Sequence, residues 1–263
     1  MKSGSRSLML MGAVCILCVS VQPSLALVYT GGTGHTTAPA ADPGWDNVAT
    51  MSIGSGTYLG DGWVLAPYHV YQSNPTGGRW ADLDQRYYEV SGTARRIESS
   101  SSTNADLMMF RIEGNPDLPM VEISGAAPLG REVTVIATGR SRAGDLVHFG
   151  GGYTGFQTTS ERAKRWGRNV TGEYTTSASS SYGWTSVFST VFDSPGLGAD
   201  ESQLVANDSG GSVFVESSSG APWQLAGMAL SVGVPFPYTG PASITTNAVY
   251  GNSAYYADLA IYR

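Results

Sequence analysis

Short hydrophobic or alternating runs, broken by clusters of glycine, serine, asparagine and proline, fill almost the whole of this chain. The runs at 48–53, 63–65, 87–90, 107–112, 133–137, 212–215 and 223–230 are strand-sized, with turn-forming residues between them. The 34 glycines supply turns, and 14% charged residues leave little to coat exposed helix faces. No long stretch before the C-terminus places apolar residues at helical spacing. Residues 254–262, Ala-Tyr-Tyr-Ala-Asp-Leu-Ala-Ile-Tyr, could start a helix, but a short one. The pattern predicts an all-β chain with a short C-terminal helix at most.

The first 26 residues read as an export signal, residues 1–26. Lys2 and Arg6 precede an apolar run at 8–19, and Ser24-Leu25-Ala26 makes a small-x-small cleavage site. The run is too short to span a membrane. Cleavage after Ala26 would remove 26 of 263 residues, together with the only two cysteines, Cys15 and Cys18. A mature chain without thiols, and without metal-ligand spacing of Cys and His, is expected to need no disulfide, no metal and no other cofactor. Loss of Lys2 and Arg6 makes the net charge of −6 more negative by two. That acidity argues against nucleic acid as a partner. The expected state is a monomer, secreted or periplasmic, with no membrane attachment after signal removal.

Chemistry concentrates in Asn207-Asp208-Ser209-Gly210-Gly211. Glycines on one side and a polar turn-forming pair on the other make a tight bend, and the strand-like 212–215 anchors it. A hydroxyl on a rigid bend beside backbone N–H groups suits a nucleophile and an oxyanion hole. Upstream, His69 closes a turn and an apolar strand, Gly60 to Val70, and Asp106 opens the hydrophobic strand 104–112. The order His, Asp, Ser is that of the chymotrypsin scaffold among the known triads. The chain resembles the chymotrypsin/trypsin-like serine peptidases. Trp63-Val64-Leu65 leading to His69-Val70 is similar to that family's histidine motif, Asp106-Leu107-Met108-Met109 to its aspartate motif, and 207–211 to its Gly-Asp-Ser-Gly-Gly motif. Absence of cysteine points, by analogy, to a bacterial secreted branch.

The resemblance implies two antiparallel six-stranded β-barrels. One would span 27–125 and carry His69 and Asp106; the other would span 126–263 and carry Ser209, with a crossing near 124–130. It implies a secreted endopeptidase acting on polypeptides through His69, Asp106 and Ser209, with the N–H groups of Asn207 and Ser209 as the oxyanion hole. Asn207 stands where the family usually has glycine, and asparagine is among the few residues that tolerate positive φ. Pro67-Tyr68 replaces two small residues before the histidine. Asp208 is expected to form an ion pair with a freed N-terminal amine, which signal removal ahead of Leu27 would supply; capping its own turn is the simpler role. The substrate pocket is expected at Gln203, Ser231, Val232 and Gly233. An aspartate at the position of Gln203 would select Arg or Lys, so its absence predicts an open, uncharged pocket.

The other candidates have plainer readings. His35 in Gly34-His35-Thr36 reads as a surface loop, and His148 as a strand histidine with a satisfied hydrogen bond. The basic run 162–168 could bind a polyanion or be a self-cleavage loop, but a solvated loop fits one short run in an acidic chain better. The serine runs 99–102 and 177–181 read as flexible loops. Two rival functions remain: an inactive homologue that uses the same surface as a binding module, and an α/β lipase. The lipase would want Gly-x-Ser-x-Gly followed by a helix, which 207–215 does not provide.

Overall fold

The structure, a computed structural model, describes residues 27–73, 80–99, 103–233 and 247–263. The expected export signal at 1–26 and both cysteines lie outside the described residues, as does most of the serine run at 99–102. The fold is all-β: two barrels packed side by side in the chymotrypsin-like arrangement.

A short strand β1 (Val28–Tyr29) precedes the first barrel. That barrel contains β2 (Val48–Thr50), β3 (Ser55–Gly60), β4 (Trp63–Ala66), β5 (Trp80–Leu83), β6 (Arg86–Glu98) and β7 (Asn104–Ile112), with one helix, α1 (Tyr68–Ser73), between β4 and β5. It closes in the order β2-β3-β4-β7-β6-β5, all neighbours antiparallel, with β5 returning to β2 at Thr50 and Asp82. Closure removes the free edges that an exposed sheet would offer to other chains. Its interior is filled by Tyr58, Val64, Val70, Leu83 and Phe110.

The second barrel is built from β8 (Glu132–Arg142), β9 (Val147–His148), β10 (Thr154–Val170), β11 (Thr176–Ser180), β12 (Gly183–Val191), β13 (Ser202–Gln203), β14 (Ser212–Glu216), β15 (Trp223–Gly233), β16 (Asn247–Val249) and β17 (Ser253–Asp258), and α2 (Leu259–Tyr262) follows. Six strands run β12-β17-β15-β14-β8-β10, and a bridge between Thr171 and Thr190 brings the end of β10 back to β12. Val133, Val135, Phe188, Val213 and Tyr256 pack inside. Between the barrels, Val48, Leu65 and Leu107 of the first meet Ile136, Phe214 and Met228 of the second. Fully burying such a side chain contributes about 1.5–3 kcal/mol, so this seam holds the barrels at a fixed spacing.

Several segments differ from their sequence reading. The run 48–53 stops as a strand at Thr50 and turns at 51–54, where Met51 N–H donates to Gly54 O at 2.8 Å. Residues 254–258 are strand, because Ala254 and Tyr256 alternate into the core; only the last turn is helical, with Asp258 accepting the Ala260 N–H at 3.1 Å. The serines at 177–180 form β11, the sheet's edge strand. The basic run 162–168 is no solvated loop but the middle of β10, with Arg165 fully buried. His148 lies on β9 and is exposed.

Val28 and Tyr29 pair with a strand of the second barrel. β1 pairs antiparallel with β13 of the second barrel, Val28 opposite Gln203 and Tyr29 opposite Ser202. Thr30 and Gly31 N–H extend the pairing to Glu201 O at 2.9 Å and Ala199 O at 2.8 Å. His35 lies in a loop at the surface, as read from the sequence, but its half-buried ring is sandwiched between Tyr29 and Trp166, with centroids 4.0 and 3.7 Å away and planes within 7° of parallel. Its Nδ1 meets Trp166 O at 3.0 Å, and burial lowers its pKa.

Candidate active site

His69 is the second residue of α1, directly after β4 and Pro67. A proline suits this entry, since its missing N–H is not needed at a helix start; its carbonyl accepts the Tyr71 N–H at 3.0 Å. Asp106 lies near the start of β7, which pairs with β4, so strand register brings acid and imidazole together. His69 Nδ1 is 2.7 Å from Asp106 Oδ2, and the His69 backbone N–H donates to Oδ1 at 3.0 Å. The carboxylate is thus held on both oxygens by one residue. Its own N–H donates to Thr185 Oγ1 of β12 at 2.9 Å, a bond from the other barrel that no motif announces. Among the described residues Tyr68 makes no ring contact with His69; the Arg96 guanidinium lies 3.8 Å over its ring. Instead Tyr182, at the β11–β12 turn, lies beside His69, ring centroids 5.5 Å apart; Arg96 fixes it by donating to the Tyr182 carbonyl.

The bend 207–211 packs against the first barrel. Ser55 N–H donates to Ser209 O at 2.8 Å, and Asn207 Nδ2 donates to Ile53 O at 3.1 Å. A Cβ on Gly54 would stand 2.3 Å from Ser209 O and 3.1 Å from a methyl of Val70, the neighbour of His69. Gly210, at φ +82°, leaves no room for a side chain: its Cβ would lie 1.8 Å from Ser55 O and 3.0 Å from Pro67 Cδ. These contacts bring the Ser209 bend against the elements on either side of His69. Asn207 has φ 74°, the left-handed region that asparagine tolerates.

The N–H groups of this bend divide into two sets. Asp208 donates to Val205 O at 3.1 Å, Gly210 to Ala229 O at 2.7 Å and Gly211 to Asp208 O at 2.9 Å. The N–H groups of Asn207 and Ser209 donate to no acceptor among the described residues. Nor does a hydrogen bond among those residues join Ser209 Oγ to His69 Nε2. Such contacts often tighten only when substrate arrives.

Two cavities meet at this place. One, of about 250 Å³, is walled by 204–209 and by Leu230, Ser231 and Val232. The other, of about 290 Å³, is walled by His69, Asp106, Tyr182 and part of β11, and shares Leu230 and Ser231 with the first. Ser209 and His69 therefore line adjoining spaces. Gln203 lies beneath, fully buried, its amide nitrogen donating to Ser253 O at 3.2 Å, and it lines neither cavity. Gly233 is also absent from both walls and packs on the Tyr255 ring. The nearby carboxylates are engaged elsewhere: Glu201 accepts the N–H groups of Asp193 and Leu197, and Asp200 stands 3.5 Å from His35.

Asp208 is fully buried. One oxygen accepts the Val205 N–H at 2.7 Å; the other packs where a Cβ on Gly139 would be, 2.1 Å away. Burial pushes its carboxyl up to about 8, opposed by the N–H groups of Val205 and Leu27 and by the charges of Arg162 and Arg165. Leu27, where the sequence places the new chain start, therefore reaches this carboxylate. Arg165 is buried as well, and burial lowers its guanidinium to about 10. Among the described residues no group of three or more His, Cys, Asp and Glu gathers as metal ligands.

No protein-family model matches this chain, and no curated protein matches its sequence. Solved structures do align with it. An inactive serine-to-alanine form of Rv3671c from M. tuberculosis aligns over 89% of this chain and 91% of its own, at 13% identity and a TM-score of 0.49. The NS6 protease from murine norovirus 1 aligns over 84% of this chain and 93% of its own, at 14% identity and a TM-score of 0.43.

Proposed function

We propose that this chain is a secreted serine endopeptidase of the chymotrypsin/trypsin-like family that hydrolyses peptide bonds through Ser209, His69 and Asp106. The observation that carries the reading is the double hold of His69 on Asp106, beside a cavity that shares a wall with that of Ser209. A buried carboxylate on Nδ1 leaves Nε2 as the base. Ser209 Oγ attacks the scissile carbonyl carbon while Nε2 takes its proton. The carbonyl oxygen, now negative, is received by the Asn207 and Ser209 N–H groups, which have no acceptor among the described residues. Removing one such donor in other enzymes costs about 3 kcal/mol of transition-state stabilisation. Collapse breaks the C–N bond, His69 returns the proton to the leaving amine, and water attacks the acyl-serine by the same route in reverse.

The walls set the preference. Leu204, Val205, Leu230 and Val232 present apolar surface, and the carboxylate nearest the cavity, Asp208, is sealed beneath it. Cleavage after apolar or small polar residues is the expected outcome of a peptide-library profile. A profile dominated by Arg or Lys would overturn this pocket assignment.

Asp208 is read as the partner of an amine freed at Leu27. In a chain still extended ahead of Leu27, its raised carboxyl takes up a proton on folding. That contribution to stability is fullest below the unfolded value near 4 and fades as pH rises through about 8. Thermal midpoints across this window should fall with pH, and Asp208→Asn should flatten the fall. In a chain beginning at Leu27, the ammonium would hold the carboxyl down and remove or reverse that slope. N-terminal sequencing of active protein that finds a start well beyond Gly32 would refute the pairing.

The whole reading is tested by a fluorophosphonate probe, which reacts only with an activated serine. Covalent labelling at Ser209 is expected; an unlabelled protein that still binds peptides would favour the inactive homologue.

A further inference from the structure

The turn 51–54 has every carbonyl engaged. Arg162 Nη1 donates to Ser52 O at 2.5 Å, while its Nη2 stands 3.3 Å from Met51 O and 3.5 Å from Gly54 O. Ile53 O accepts Asn207 Nδ2. The same Nη2 lies 3.4 Å from Thr138 O, on the second barrel. The next residue, Ser55, donates its N–H to Ser209 O. Two positions further along β10, Lys164 Nζ also reaches the first barrel, donating to Trp45 O at 2.9 Å and Val48 O at 3.1 Å. Two cations of one strand thus grip the first barrel across the seam. Only Arg162 grips the turn against which Ser209 rests.

We propose that Arg162 is a positioning residue for Ser209, its guanidinium clamping the 51–54 turn so that Ile53 holds the Asn207 side chain and Ser55 holds the Ser209 carbonyl. The proposal rests on the hydrolase reading for its kinetic consequence, but the clamp itself does not. Carbonyl dipoles converging on one point repel one another unless a cation sits among them. A planar guanidinium supplies several donors in a fixed fork and is weakly hydrated, so it suits a partly buried cluster that an ammonium would satisfy less fully. Burial lowers the Arg162 pKa, against which Asp208 acts as the smaller, opposing cause. Freed from the clamp, the turn can shift, and Ser209 O and Asn207 Nδ2 shift with it. Displacements near 1 Å at a reacting group cost roughly 100-fold in rate.

The test compares Arg162→Met, Arg162→Lys and Lys164→Met in the full chain, with three readouts: kcat and KM on a peptide substrate, the rate of fluorophosphonate labelling, and hydrogen exchange of the Ser55 amide. Arg162→Met should lower kcat and the labelling rate by about 30- to 100-fold, with KM within about threefold, and should speed Ser55 exchange. Arg162→Lys should fall between Arg162→Met and the parent. Lys164→Met should lower the thermal midpoint yet keep kcat within about twofold and Ser55 protected, because its carbonyls lie outside the turn. Equal kcat losses in Arg162→Met and Lys164→Met would overturn the proposal, as would an Arg162→Met protein with parental rate and parental Ser55 exchange. If the parent protein itself is not labelled, the hydrolase reading has failed, and Ser55 exchange alone decides the clamp. If Arg162→Met does not fold, Arg162→Lys decides on the same readouts.

Discussion

Ser209→Ala is expected to abolish fluorophosphonate labelling and to lower peptide hydrolysis by about six orders of magnitude, the loss seen when another serine peptidase forfeits its nucleophile. The fold should be untouched, because among the described residues Ser209 is bonded through its backbone carbonyl, to Ser55, and not through its hydroxyl. His69→Ala should lose nearly as much, since the hydroxyl is a weak nucleophile without a base. The two losses should not add: combining the substitutions removes a unit that either one already disables. Substrate binding should persist, so KM measured with residual activity, or peptide affinity measured directly, should stay near the parental value. Labelling that survives in Ser209→Ala would place the reactive group elsewhere and sink the assignment.

Asp106→Asn should keep the fold and cost about 10⁴ in kcat, the size of the effect known for the equivalent change in this chemistry. The geometry gives a specific reason. The His69 backbone N–H, 3.0 Å from Oδ1, needs an acceptor, so the new amide must keep its oxygen there. Its NH₂ then faces Nδ1 of the ring, 2.7 Å away in the parent, and donates to it. The imidazole is forced to carry its proton on Nε2, toward Ser209, where it can no longer accept one. Nitrogen-detected NMR of His69 should show that exchange of tautomer directly. An Asp106→Asn protein with the parental tautomer and near-parental kcat would show that Asp106 does not govern the ring. Activity should recover in part at high pH, where hydroxide can take the serine proton without the ring.

Much of the fold was readable because strand alternation and turn chemistry are local. The strands at 63–65, 107–112 and 212–215 are each apolar and bounded by glycine or polar turns, and they fall within β4, β7 and β14. The bend at 207–211 was readable for the same reason, including the positive φ of Asn207. What escaped notice depends on partners remote in the chain. β10 hides because the residues it buries in its second half, Arg165, Gly167 and Asn169, are not hydrophobes: Gly167 exists to let Ser202 approach, where a Cβ would come within 2.4 Å. Arg162 and Lys164 resemble surface charge until the first barrel's carbonyls arrive. His35 resembles a loop histidine because its stacking partner Trp166 lies 131 positions away. The serines of β11 pack small and polar at an edge, where no buried alternation is required. Gln203 sits at the family's specificity position by count, yet residue counting cannot tell a pocket floor from a side chain folded under it.

The pairing of β1 with β13 joins residues 171 positions apart at Thr30 and Glu201. Such a contact closes a very long loop, and long loops are slow to close. A ribosome would deliver Val28 early and leave it without a docking place until the last third of the polypeptide had emerged. Val28 and Tyr29 therefore settle late, and the bend at Asp208 receives its neighbour Leu27 only once β13 has formed. Order of synthesis is thus built into the architecture: a half-made chain cannot yet complete the surroundings of Ser209.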